Sequence, residues 1–163
     1  IRQWETLKFA QLTELIFHKS GWRGVICGGK DEVKLAEEIK NNSSAPLEIL
    51  SGSTNIMQLL HVVNGAKFVV GNETSIIHIA VALHVPSLCL LGGGHYGRFV
   101  PYPDELQAPG TIPDIVYYPM ECFNCDWNCK FKIGKNGPAP CITNITIDSV
   151  WAKVDRMIDS LNS

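Results

Sequence analysis

Short runs of continuously apolar residues, most of them closed by glycine and the first three each followed by a helical pattern, recur along this chain and restrict its fold more than any other feature. Val25-Ile26-Cys27 ends in Gly28-Gly29, and Asp31, Val33, Leu35, Ala36 and Ile39 then follow at helical spacing. Leu47-Glu48-Ile49-Leu50 repeats the unit, with Ser53 or Thr54 placed to cap a helix that carries Ile56, Leu59, Leu60 and Val63 up to Gly65. Phe68-Val69-Val70-Gly71 leads into a helix from Ser75 to Leu83 with almost nothing polar on it except His78, so that helix is expected to be buried on most sides. Ser87-Leu88-Cys89-Leu90-Leu91 makes a fourth strand before Gly92-Gly93-Gly94, and Ile115-Val116-Tyr117-Tyr118 a fifth. A helix from Trp4 to about Lys19, stopped by Gly21, opens the pattern, and an amphipathic helix with Val150, Trp151, Val154, Met157 and Ile158 closes it. Apolar strands separated by helices belong to a parallel sheet covered on both faces. The expected fold class is therefore α/β, a Rossmann-like doubly wound parallel sheet. Ligands would bind where the loops after Cys27, Leu50, Val70 and Leu91 converge at the carboxyl ends of the strands.

Composition narrows the partners. A chain of 163 residues is about one domain, and 45% hydrophobic against 18% charged residues excludes disorder. Lys+Arg 14 against Asp+Glu 16 leaves no basic excess, so nucleic acid is not an expected partner. No apolar run approaches the roughly 18 residues of a spanning helix, and no charged-then-apolar leader opens the chain, which points to a cytoplasmic protein. The start at Ile1, already inside a helical pattern, suggests a piece of something longer. The Pro/Gly-rich stretches 101–113 and 134–140 read as ordered surface loops of the same domain.

The densest local signal is Val70-Gly71-Asn72-Glu73-Thr74-Ser75-Ile76-Ile77-His78, where a strand delivers two hydroxyls and a histidine to the first turn of an apolar helix. Unpaired N–H groups and the positive end of the helix dipole favour an anion there, and a phosphate fits. Thr74 and Ser75 can donate hydroxyls, and His78, about one turn on, can donate from the same side. The plainer alternative makes Thr74 an ordinary N-cap and His78 a core histidine bonded to a backbone carbonyl.

Gly71-Asn72-Glu73-Thr74-Ser75-Ile76-Ile77-His78-Ile79-Ala80, continued by Ala82-Leu83-His84-Val85-Pro86 and Leu91-Gly92, resembles the core motif of glycosyltransferase family 9, the heptosyltransferase-like enzymes, whose usual pattern is G-N-D-[ST]-G-P-x-H-x-A-x-A-L-x-x-P. Arg2-Gln3-Trp4 with Phe9 and Leu12 resembles the family's K-x-W segment. Gly28-Gly29 with Asp31 and Ala36 resembles its second donor loop, and Leu50-Ser51-Gly52-Ser53-Thr54 with Leu59-Leu60 and Ala66 its third. The late cysteines, with Ile145 and Val150, resemble a cluster found in many members. The resemblance implies the GT-B architecture of two Rossmann-like halves, with residues 1–163 as the carboxyl-terminal, nucleotide-sugar (donor) binding domain and the amino-terminal acceptor domain absent from the chain. It implies that Thr74, Ser75 and His78 hold the donor diphosphate, with Arg2 in the place of the family's lysine. Asp31 or Glu32 and the backbone near Ser53 would then lie beside the nucleoside. Glu73 stands for the usual aspartate, Ser75 for the usual glycine and Ile76 for the usual proline, a crowding that bears on the sugar. The implied reaction is a metal-independent, inverting transfer of a heptose-like sugar from a nucleoside diphosphate, ADP foremost, to a lipopolysaccharide core or other cell-surface glycan. The base would come from the absent half, peripheral contact with the inner face of a membrane is compatible with this reading, and the chain alone is expected to bind donor without transferring sugar.

Other features carry less. Gly92-Gly93-Gly94-His95-Tyr96-Gly97-Arg98 follows a strand but is not a G-x-G-x-x-G turn opening a helix, so a nicotinamide cofactor is weakly supported. Its glycines would let backbone approach a ligand, with His95 and Arg98 as contacts to sugar or acceptor, although a loop arginine is often merely solvated. Cys27 and Cys89 read as core. Cys122-x2-Cys125-x3-Cys129-x11-Cys141 offers four thiols for a structural zinc; disulfides or free thiols are the alternatives, and no ferredoxin spacing is present. No cofactor is expected for catalysis. His18, His61 and His84 read as surface or packing residues, and the triplets Asn72-Glu73-Thr74 and Asn144-Ile145-Thr146 as unglycosylated. Two other functions stay open, a non-catalytic nucleotide- or phosphate-binding α/β module and a zinc-stabilised interaction domain.

Overall fold

The computed structural model describes residues 1–103, 105, 112–134 and 137–163, so part of each Pro/Gly-rich stretch lies outside the described residues. Among the described residues there are six α-helices and five strands. They are α1 (Thr6–Ser20), β1 (Gly24–Ile26), α2 (Val33–Asn41), β2 (Leu47–Ile49), α3 (Ile56–Asn64), β3 (Val69–Asn72), α4 (Ser75–Ala82), β4 (Ser87–Leu90), β5 (Asp114–Val116), α5 (Pro140–Thr143) and α6 (Ile147–Leu161), and they alternate from α1 through β4 as the apolar runs require. All strand pairs are parallel, and the mixed α/β fold with parallel sheets follows the sequence pattern. The hydrogen-bonded ladder comes in two pieces, β1 with β2 and β3-β4-β5, where one continuous sheet was expected. β1 and β2 are only three residues long, so little ladder is available to extend the sheet past them.

β4 shows how the layers are built. Its residues are all buried, and they alternate in allegiance. Leu88 and Leu90 join Trp4, Leu12, Val150, Val154 and Ile158 on the side of α1 and α6. Cys89 and Leu91 join Val63, Ile77, Ala80 and Val100 on the side of α3 and α4. An apolar strand with no polar position is what a sheet covered on both faces needs. Cys89 is fully buried, and its thiol is pushed up to about 12, chiefly by that burial. Cys27 is only half-buried, contrary to the core position expected of it.

Several boundaries correct the sequence reading. α1 ends as expected at Gly21, whose φ of 72° is the left-handed conformation glycine adopts without a side-chain clash. The cap of α3 is Asn55, not Ser53 or Thr54. Asn55 Oδ1 accepts from the Gln58 N–H while Gln58 Oε1 accepts from the Asn55 N–H, a reciprocal box that fixes the helix start one or two residues later. α2 is preceded by one tight turn at Lys30–Glu32. α4 is less enclosed than its composition suggested. Only Ile77 and Ala80 are fully buried and Ser75 and Ala82 are exposed, because the helix packs through one side onto the sheet and α3. Tyr117 and Tyr118, expected to extend the fifth strand, follow it as exposed residues.

Trp4 locks the opening segment onto this frame. Its side chain is fully buried and its indole N–H donates to the Ile145 carbonyl at 2.9 Å. Its backbone N–H donates to Asn72 Oδ1 at 3.0 Å, which ties the residues around Arg2 to the end of β3.

Candidate functional site

β3 runs straight into the start of α4. Thr74 is extended, with φ −141° and ψ 176°, and occupies the N-cap position, but its hydroxyl makes no capping bond. Thr74 and Ser75 are both exposed, and no acidic side chain sits in the first turn of the helix. Thr74 is thus not the ordinary side-chain cap of the plainer alternative. The first turn keeps its positive dipole end and its two hydroxyls turned toward solvent rather than toward the helix's own N–H groups.

His78 lies one turn on and is half-buried. Its Nδ1 is 2.7 Å from the Tyr102 hydroxyl, and the two rings stack with centroids 5.8 Å apart. It is therefore held by a side chain rather than by a backbone carbonyl. When the tyrosine donates to Nδ1, the ring proton resides on Nε2, which becomes a donor. Nothing in the sequence marked Tyr102, because it reaches His78 from a loop 24 residues away.

Glu73, between the hydroxyls and the strand, is half-buried, and its Oε1 is buried without a hydrogen-bond partner. Burial pushes its carboxyl above the usual range, opposed by the positive charges of His95 and Arg2. Arg2 is exposed, with its guanidinium 5.0 Å over the Trp127 ring. His95 Nε2 lies 2.5 Å from Asp126 Oδ1, and Arg98 Nη1 reaches the same oxygen at 3.5 Å. Arg2, Glu73 and His95 thus gather beside the start of α4 at the ends of β3 and β4, with Arg98 joined to His95 through Asp126. The sequence did not single out Asp126 or Trp127, since each acts on residues far away in the chain.

The glycine-rich loop has a different explanation from the one expected. A Cβ on Gly94 would stand 2.4 Å from Trp127 Cδ2, and one on Gly93 2.3 Å from Phe123 Cδ1. The loop backbone also accepts hydrogen bonds there, from the Asn124 N–H to Gly93 O at 2.7 Å and from the Asp126 N–H to Gly94 O at 3.0 Å. Gly93 and Gly94 make room for aromatic rings of the cysteine stretch.

Asp31, Glu32 and Ser53 form a separate group at the ends of β1 and β2. Glu32 Oε2 accepts from the Gly29 N–H at 2.7 Å and Ser53 Oγ donates to the Leu50 carbonyl at 2.8 Å, while Asp31 is exposed. Among the described residues no hydrogen bond or ion pair joins this group to the start of α4. His18, His61 and His84 are exposed, as surface residues should be. Cys122, Cys125, Cys129 and Cys141 are all free thiols, so no disulfide is formed. No helix among the described residues is long and apolar enough to cross a membrane.

Residues 2–114 match the model of glycosyltransferase family 9 (heptosyltransferase). The chain is 27% identical over 89 residues to lipooligosaccharide heptosyltransferase 2 of Haemophilus ducreyi, a stretch covering 52% of this chain and 25% of that protein. Among solved structures it superposes on the ADP-heptose lipopolysaccharide heptosyltransferase II of E. coli with a TM-score of 0.71 at 18% identity, over 99% of this chain and 44% of that one. It also superposes on the family 9 glycosyl transferase of Veillonella parvula with a TM-score of 0.73 at 17% identity, over 98% and 42% respectively. The chain thus spans less than half the length of these relatives, and over that part it shares their α/β fold with parallel strands. With the family pattern matched across more than half of its residues, the chain belongs to glycosyltransferase family 9.

Proposed function

We propose that this chain is the donor-binding half of an inverting, metal-independent glycosyltransferase that moves a heptose-like sugar from a nucleoside diphosphate, ADP foremost, onto a lipopolysaccharide core or related cell-surface glycan. The observation that supports it most is the start of α4, where Thr74 stands at the N-cap with its hydroxyl unused and Ser75 is exposed beside it. A diphosphate seated there accepts from the first-turn N–H groups and the two hydroxyls, and from His78 Nε2–H when Tyr102 donates to Nδ1. Arg2 adds the compensating cation as the sugar–phosphate bond breaks and negative charge collects on the leaving diphosphate. Asp31, Glu32 and Ser53 serve the nucleoside, and Glu73 and Arg98 the sugar. The acceptor and its base belong to a second half of the full enzyme, which works at the cytoplasmic face where nucleotide sugars are available.

Thermal unfolding of the chain with ADP, UDP, GDP or inorganic phosphate tests the reading. A ligand at about 100 times its Kd adds about 2.7 kcal/mol of stability, and ADP is expected to give the largest rise in Tm. Thr74→Val should cut that rise to about half, and His78→Ala should also lower it, while leaving the unliganded Tm within a few degrees. Stabilisation by phosphate alone, indifferent to the nucleoside, would make the chain a phosphate-binding module instead.

A further inference from the structure

The residues after 114 fall outside the family match, and they contain a feature the proposed reaction does not use. Cys122, Cys125, Cys129 and Cys141 all line one cavity of about 10 Å³, enough for a single water-sized sphere or ion. Three come from one tight loop and the fourth from the first turn of α5. The rest of the wall is mainly apolar, including Phe123, Trp127 and Ala139. Two further observations mark the space as unfinished. The Trp127 indole N–H is buried without an acceptor, although the ring lines this same cavity. The loop also holds Asn124, Asp126 and Trp127 at φ 64°, 50° and 62°, a left-handed conformation that non-glycine residues keep only where their surroundings impose it. Among the described residues, no group of three or more His, Cys, Asp or Glu side chains is yet arranged to hold a metal ion, so the sulfurs must draw inward to do so.

We propose that Cys122, Cys125, Cys129 and Cys141 close as thiolates around one zinc ion, and that this closure fixes the ring of Trp127 under Arg2 and the carboxylate of Asp126 on His95. The four S–H bonds break on binding and their protons go to solvent. Four soft donors with no open position suit zinc in a structural role. Thiolates also supply acceptors of the kind the Trp127 N–H lacks. The second half of the proposal rests on the donor-site reading above; the first does not.

Zinc in the purified, reduced chain is measured by atomic emission, and its release is followed with a metallochromic dye during titration by an organomercurial. The expected result is about one zinc per chain, freed as the thiols are blocked, with Cys125→Ser lowering occupancy at least tenfold or so. Should that variant fail to fold, the unaltered chain reconstituted with cobalt chloride gives a second reading, since tetrahedral thiolate ligation produces intense visible and near-ultraviolet bands. The proposal is overturned by a chain that takes up neither zinc nor cobalt, by full zinc content in folded Cys125→Ser, or by an intact mass showing the thiols paired as disulfides. Stripping zinc should then weaken the ADP-induced Tm shift. Equal shifts with and without zinc overturn the coupling to the donor site. No shift in either form overturns the donor reading and leaves the zinc assignment standing on its stoichiometry.

Discussion

β3 and β4 are neighbours in one parallel sheet, and each runs into a helical turn within a few residues of its end, yet the two ends are treated in opposite ways. After β3 the first turn of α4 is open: Thr74 and Ser75 are exposed and the Thr74 hydroxyl caps nothing. After β4 the turn at Gly93–His95 is closed, with Gly93 and Gly94 buried beneath Phe123 and Trp127. Glycine after a strand is commonly taken as room for a ligand. Here the glycine-rich end is the one filled by the protein's own side chains, while the end carrying side chains of its own, Glu73, Thr74 and Ser75, is the one left accessible. The closed end supports the open one, because the ring that covers Gly94 also lies under Arg2 and the loop that carries it places Asp126 on His95.

The sharpest way to break this contrast is to empty the closed end. Trp127→Ala should cost about 3 kcal/mol, the lower end of the range for a buried tryptophan because this one is only half-buried, and should also release Arg2. Urea denaturation measures the first effect and ADP affinity the second. A variant that lost stability but bound ADP as before would separate the two ends. Overfilling is expected to cost somewhat less. Gly94→Ala pushes a methyl to within 2.4 Å of the Trp127 ring, and a loss of about 1–3 kcal/mol is expected. A urea midpoint equal to that of the unaltered chain would mean that the ring moves aside freely.

The asymmetry also explains which parts of the molecule could be read in advance. The alternation of strands and helices was legible because both faces of the sheet are covered, so Leu88 to Leu91 had to be apolar at every position. The start of α4 was legible because a hydroxyl pair and a histidine one turn apart are local in sequence. The partners that hold the site were not. Tyr102 reaches His78 across 24 residues and Asp126 reaches His95 across 31. Asp126 and Trp127 take left-handed backbone conformations that no glycine announces. The start of α3 was misplaced for a related reason, since Ser53, Thr54 and Asn55 are all capable caps and only Asn55 has Gln58 three residues on to answer it.

On the open side, stability and binding should come apart. Thr74→Val removes a hydroxyl that caps nothing, so the stability change should stay within about 0.5 kcal/mol. The lost donor should weaken nucleoside diphosphate binding about tenfold, in line with a hydrogen bond to a charged group. Titration calorimetry with ADP, beside urea denaturation of the same variant, checks both. A large stability loss with unchanged affinity would turn Thr74 back into a cap.

The smallest effect, and the one with the clearest sign, concerns the carboxyl between the two ends. Burial raises the Glu73 pKa in the folded chain above its unfolded value, against the pull of His95 and Arg2. Between those two values the folded state binds more protons than the unfolded state, so this residue's contribution to stability falls as pH rises through the window. Above the window the chain carries a half-buried carboxylate whose Oε1 has no donor, and below it the group is neutral in both states. Glu73→Gln should therefore be slightly more stable than the unaltered chain at pH 7, with the difference shrinking as pH falls from the raised folded value toward the ordinary carboxyl range. Urea midpoints of both proteins across that range measure it. A glutamine variant that is less stable at neutral pH would show that Arg2 and His95 outweigh burial at this position, and that the closed end reaches across to hold Glu73 as an ion.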